Sequence, residues 1–193
     1  MSDESVELLS RYIGLDTTNP PGNEHLAADF FAGILKAAGI AHRVYQSSPG
    51  RTSIRADIKG SGRQEPLILL HHSDVISAKK EEWSFNPFGG EIIDGYICGR
   101  GALDTKSLGI MQLMAVLDIH RSRVPLNRDL VLLATADEES GADFGVEYLL
   151  REHAGDFPAG LVLNEGSYVA EGIVPGRLLA MISPGEKAPA GSG

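Results

Sequence analysis

The chain has 193 residues, of which 42% are apolar and 22% charged, enough for one domain with a substantial core. Its net charge of -9 gives no electrostatic footprint for nucleic acid, and the small basic cluster Lys79-Lys80 is neutralised at once by Glu81-Glu82. No run of 18 apolar residues would span a membrane, the acidic start MSDESVELLS lacks a secretory pattern, and the single Cys98 excludes an internal disulfide or a thiolate zinc cluster. A cytoplasmic protein is the expectation.

Residues 5–15 have the spacing of an amphipathic helix, with Val6, Leu9, Tyr12 and Ile13 on one side. DTTNPPGNE, residues 16–24, is dense in turn formers and predicts irregular backbone. A second helix is expected over 24–38, ended by Gly39. His25 and His42 read as surface residues. Strands follow in HRVYQ, over 52–58, and in PLILLH, whose continuous apolar run suits a central strand and stops at His71 to Asp74. EIIDGYIC predicts a hairpin around Asp94-Gly95.

GRGALDTKS then leads into the clearest helix, to about Arg121, where Met111 and Met114 read as core filler. Taken alone, Asp104 at its start reads as a helix cap. DLVLLATA is a second buried strand and ends at Asp137 to Ser140; a helix is expected over 142–151, and the strand AGLVL ends at Asn164-Glu165-Gly166. Strands alternating with helices predict an α/β fold, a three-layer α/β/α sandwich around a mostly parallel mixed sheet.

Three apolar runs thus end in ionisable residues, and Asp104 follows a hairpin, each about one βα unit of roughly 30 residues from the next. If the strands are neighbours, these groups meet at the carboxyl edge of the sheet, where such folds place their chemistry. Gathered there, His72, Asp74, Asp104, Glu138, Glu139 and Glu165 would repel one another, and a divalent cation relieves that repulsion. Imidazole beside carboxylates suits zinc, cobalt or manganese. Two such ions need a shared carboxylate, for which short, turn-held Asp104 is suited. Asp74 can reach back to the ring of His72 and orient it. Of adjacent Glu138 and Glu139, one can bind metal while the other serves as general base. Dinucleotide, P-loop and nucleophilic-elbow patterns all fail on residue identity.

The stretches DTTNPPGNE, LLHHSDV, WSFNPFGG with DGYICGRGALDTK, ATADEESG and LNEGS, in this order, closely resemble the zinc-dependent aminoacylase, carboxypeptidase G, acetylornithine deacetylase and succinyl-diaminopimelate desuccinylase family. The resemblance implies a zinc-exopeptidase-like catalytic domain over 1–185 and a linker-like tail over 186–193, where the family's dimerising lid domain would begin. It implies His72 and Glu165 on one metal ion, Asp104 as the bridge, Glu139 on the second ion, Glu138 as general base and Asp74 orienting His72. A cis peptide is implied after Asp104. The implied reaction is hydrolysis of amide bonds in N-acyl amino acids or small peptides by metal-activated water. The family's last histidine ligand lies beyond the lid, so the second site is expected to be incomplete, and a homodimer is expected only for a form carrying the lid. Ser107 stands where the family commonly has glycine, and His153 lacks the context of a ligand. The competing expectation is a catalytically silent fragment or a binding module with a partial metal site.

Overall fold

The computed structural model describes residues 3–158, 160–166 and 169–180. They fall into two compact units that divide between Leu163 and Asn164. The tail expected over 186–193 lies outside the described residues.

The first unit opens with helix α1, Asp3–Ile13, which buries Leu8, Leu9, Tyr12 and Ile13. The turn-rich segment that follows is irregular, and α2 runs over His25–Ala37. Strands β1, His42–Ser48, and β2, Arg51–Ile58, form an antiparallel pair. Strand β3 is Leu67–His72, and the expected hairpin is β4, Glu91–Ile93, with β5, Tyr96–Cys98. Its turn residues Asp94 and Gly95 both have positive φ, as a two-residue hairpin turn of this kind demands. Helix α3, Lys106–Ser122, precedes β6, Leu130–Thr135, then α4, Val146–His153, and β7, Leu161–Leu163.

The sheet order is β1-β2-β6-β3-β7. β3 lies parallel to both β6 and β7, whereas β2 is antiparallel to β6 and to β1. The five-stranded sheet is therefore mixed, as expected, with two parallel and two antiparallel pairings. The β1–β2 pairing is antiparallel because their short connection has no helix to carry the chain back across the sheet.

Alternation along β6 shows the layers. Leu130, Leu132 and Ala134 join α1, α2 and α3 in one core, while Val131 and Leu133 pack on the opposite face with Tyr45, Ile68 and Leu149 of α4. This is the three-layer sandwich, with β3 and β6 covered on both faces. Helix α3 comes close to the sheet because residue 109 is glycine: a Cβ there would stand 2.5 Å from Nε2 of His71. His71 is fully buried, and its Nδ1–H donates to Oε1 of Gln112 at 2.9 Å. Burial pushes its pKa down to about 4, so it is a neutral core residue.

Three local expectations are corrected. The N-cap of α3 is Thr105, so Asp104 precedes the helix instead of capping it. Met111 is exposed while Ile110 and Leu113 fill the core, because α3 turns a narrower face inward than its apolar residues suggest. His25 and His42 are half-buried rather than on the surface.

The second unit contains the antiparallel hairpin β8, Val169–Val174, with β9, Arg177–Ala180.

Candidate metal centre

The parallel register fixes where the chemistry gathers. His72 pairs with Thr135 and Leu69 with Leu163, so β6, β3 and β7 end on the same edge. His72 closes β3, and the 3₁₀ turn Glu138–Ser140 lies three residues past β6. Asp104 arrives from the turn after β5, and the peptide bond Asp104–Thr105 is cis, as the resemblance implied. One ligand atom each from His72, Asp104 and Glu139 lies within 4.8 Å of the others. Nε2 of His72 is 3.0 Å from Oδ1 of Asp104 and 3.9 Å from Oε2 of Glu138. Glu165 belongs to the second unit, two residues past β7, and its assignment rests on the sequence alone.

The ring of His72 is nearly fully buried, and its Nδ1–H donates to the backbone carbonyl of Asp74 at 2.9 Å. A carbonyl can only accept, so the neutral ring carries its lone pair on Nε2, towards Asp104. Two lone-pair donors 3.0 Å apart repel unless a proton or a cation lies between them. The donor set, one imidazole nitrogen and two carboxylates, thus fits a divalent transition ion. Asp104 and Glu138 leave 66% and 52% of their side chains open to solvent, which leaves the centre accessible from outside.

Asp74 has a wider task than the sequence suggested. It is fully buried, and its carboxylate lies 3.5 Å from Nδ1 of His72, while the closer contact of that nitrogen is the Asp74 carbonyl. Its oxygens accept the backbone N–H of Glu138 at 3.1 Å, the N–H of Glu139 at 3.0 Å and the amide of Asn19 at 2.8 Å. Burial works to raise its pKa, yet the hydrogen bonds from His72 and Asn19 hold it below the usual carboxylate range. Burial lifts Glu139 instead, aided by Asp104, Asp74 and Glu138 and opposed by His72. Burial first and the neighbouring carboxylates second disfavour its charged form, and a bound cation would oppose both.

Other residues around the centre carried little sequence signal. Asn19 links Asp74 to Asp137, donating to each. Arg51 and Glu24 are buried against Asp137. Lys106 is buried beneath the Asp104 turn, where its ammonium donates to the carbonyls of Tyr12 and Leu15 at 3.1 and 2.6 Å. Burial brings its pKa down to about 7, with Asp16 opposing. Of these, Asn19 and Glu24 sat in the stretch DTTNPPGNE, Lys106 in DGYICGRGALDTK and Asp137 in ATADEESG, whereas Arg51 lay in none of the stretches that stood out in the sequence. His153 packs between the rings of Tyr45 and Tyr148 and belongs to no group of clustered donors among the described residues.

Residues 68–178 match the model of peptidase family M20/M25/M40. The chain belongs to this family. It is 33% identical over 162 residues to an N-fatty-acyl-amino acid synthase/hydrolase of Bos taurus, covering 81% of this chain and 31% of the relative. It is 32% identical over 165 residues to aminoacylase-1 of Sus scrofa, covering 84% and 40%. A succinyl-diaminopimelate desuccinylase of Methylorubrum extorquens is 34% identical over 155 residues, covering 78% and 40%. The fold matches that of an M20 family metallo-carboxypeptidase of Sulfolobus solfataricus, with a TM-score of 0.73 and 24% identity over 86% of this chain and 38% of that one. The chain therefore spans between about a third and two-fifths of the length of these relatives. No described helix is long and apolar enough to cross a membrane.

Proposed function

We propose that this chain is the N-terminal part of a metal-dependent hydrolase of amide bonds in N-acyl amino acids or small peptides. The observation that carries this reading is the cluster of His72, Asp104 and Glu139 with the carboxylate of Glu138 beside it. Residues 1–185 are assigned to the catalytic domain and 186–193 to a linker. Two divalent ions are proposed, with zinc preferred over cobalt or manganese. His72 and Glu165 would hold the first and Glu139 the second, with Asp104 shared and the second site incomplete in this chain. Names of the relatives support the substrate class, since they include an aminoacylase, a desuccinylase and an N-fatty-acyl-amino acid hydrolase.

When bound, such an ion would acidify a water and polarise an acyl carbonyl. The protein's own groups do the rest. Glu138 is half exposed beside the cluster and can take a proton from water and return it to the departing amine. Asp74 holds the backbone of Glu138 and Glu139, so the base and the ligand keep fixed places relative to His72. The backbone carbonyl of Asp74 keeps Nε2 of His72 as the coordinating nitrogen. Neither nucleic acid nor a membrane is proposed as partner, a homodimer is proposed only for a longer form bearing the lid, and a cytoplasmic site of action remains part of the proposal.

The test is hydrolysis of N-acyl amino acids by metal-loaded protein, in this chain and in a longer form including the downstream reading frame. Glu138→Ala should lower turnover at least about 100-fold while metal content is kept. Equal turnover in mutant and wild type would remove Glu138 from its role. A second reading, a catalytically silent module with a partial metal site, is favoured by the half-exposed edge strand β7. It predicts metal uptake by this chain without turnover in either form.

A further inference from the structure

The turn that presents Glu138 and Glu139 leaves β6 through Asp137, a non-glycine residue with φ of 67°. Aspartate tolerates this left-handed backbone, but something must hold it there. Its Oδ2 accepts the N–H of Phe144 at 2.9 Å, and its own N–H donates to Oε1 of Glu24 at 3.2 Å. Its Oδ1 accepts the amide of Asn19 at 2.9 Å and the guanidinium of Arg51.

Arg51 opens β2 and is nearly fully buried. One of its terminal nitrogens meets Oδ1 of Asn19 at 2.8 Å, the carbonyl of Pro21 at 2.9 Å and Oε1 of Glu24 at 3.4 Å, while the other meets Asp137. The ring of Phe144 covers it, with the guanidinium carbon 5.3 Å from the ring centroid. Asp74, Asp137 and Glu24 bring three buried carboxyl groups behind the metal-facing turn. Arg51 is the one cation ion-paired to Asp137 or Glu24 among the described residues.

We infer that Arg51 is a positioning residue for the candidate metal centre. It fixes Asp137 in its left-handed conformation and, through Asn19, sets Asp137 against Asp74. Asp74 then holds the backbone N–H groups of Glu138 and Glu139, while Asp137 holds that of Phe144 at the far end of the turn. A planar, multidentate guanidinium does this where a lysine would reach one or two partners only. This inference rests on the proposed metal reading for its functional meaning, but its structural content can be tested without metal.

The test uses the whole 193-residue chain with Arg51→Lys and Arg51→Met. Amide hydrogen exchange is followed residue by residue without metal, and the affinity for Co²⁺ or Zn²⁺ is measured separately. Arg51→Met should speed exchange at the amides of Glu138, Glu139 and Phe144 by at least about 10-fold, leaving Leu132 and Leu133 in β6 unchanged. Arg51→Lys should lie between Arg51→Met and wild type, and it decides the matter if Arg51→Met does not fold. Metal affinity should fall about 10- to 100-fold in step with the exchange. In a Glu139→Ala background, Arg51→Lys should add no further loss of affinity beyond that of Glu139→Ala. Uniform acceleration at all amides in Arg51→Lys, or no change at Glu138 and Glu139, would overturn the inference. Absence of metal binding by wild type would instead overturn the metal reading, while local exchange still supports the positioning role.

Discussion

Strands β6 and β7 flank β3 on either side and run parallel to it, yet their surroundings differ. Every residue of β6 is buried between α3 and α4. Leu161, Val162 and Leu163 of β7 are each close to half exposed, at 49%, 46% and 50%. The same contrast runs through the chemistry beyond the strand ends. The β6 side holds Asp74, Asp137, Asn19 and Arg51 in a buried network that fixes Glu138 and Glu139. The β7 side leads to Glu165, whose role rests on sequence. Apolar sequence sets which strands can be buried, and position in the sheet decides which of them are. One flank of β3 carries a buried support for the proposed ligands; the other is the edge of the sheet among the described strands.

The contrast can be broken first by truncation in the core. Leu132→Ala in β6 should cost about 2–5 kcal/mol in urea unfolding, since the residue is buried on both sides by fixed neighbours. Next, Asp74→Asn replaces an acceptor of two backbone N–H groups with a mixed amide. It should weaken metal binding about 10- to 100-fold, measured by competition with a chelator. Equal affinity would show that the β6-side network does not hold the ligands.

Glu24 supplies a subtler probe of the same network. Burial raises its pKa in the fold to about 7 from 4.5, so the folded state keeps a proton that the unfolded chain releases. Its contribution to stability is fully present below pH 4.5 and is lost as pH rises to about 7. Stability of wild type relative to Glu24→Gln should therefore fall across that window with a slope approaching about one proton, read from unfolding curves at stepped pH. A flat difference would mean that Arg51 keeps Glu24 ionised throughout. Val162→Ala in β7 should have the smallest effect, below about 1 kcal/mol, because half of the side chain already meets water. A loss as large as that of Leu132→Ala would erase the distinction between the two strands.

Much of this was legible in the sequence for reasons of period and punctuation. Apolar runs ending in His72 and Asp137 to Glu139 were recognisable as strands that deliver ionisable groups to one edge, and the pairing of β3 with β6 bears that out. The hairpin turn at Asp94-Gly95 was readable because few residues tolerate positive φ at both positions. What escaped was information carried only by the assembled sheet. Arg51 looked like any charged residue near a turn until β2 came to lie beside β6. The hold of the Asp74 carboxylate on the backbone of Glu138 and Glu139 was not legible, because the amides it accepts lie more than 60 residues away. Met111 fits an apolar helical period yet is exposed, since periodicity does not state how wide a face the sheet will cover.

The most direct test of the central claim is metal titration of the dialysed chain with Co²⁺ or Zn²⁺, comparing wild type with Asp104→Ala and Glu139→Ala. Asp104 is the ligand both proposed ions would share, so Asp104→Ala should abolish specific binding altogether, while Glu139→Ala should keep a weaker site built on His72 and Asp104. Retention of wild-type stoichiometry and affinity in Asp104→Ala would contradict a centre organised on that residue.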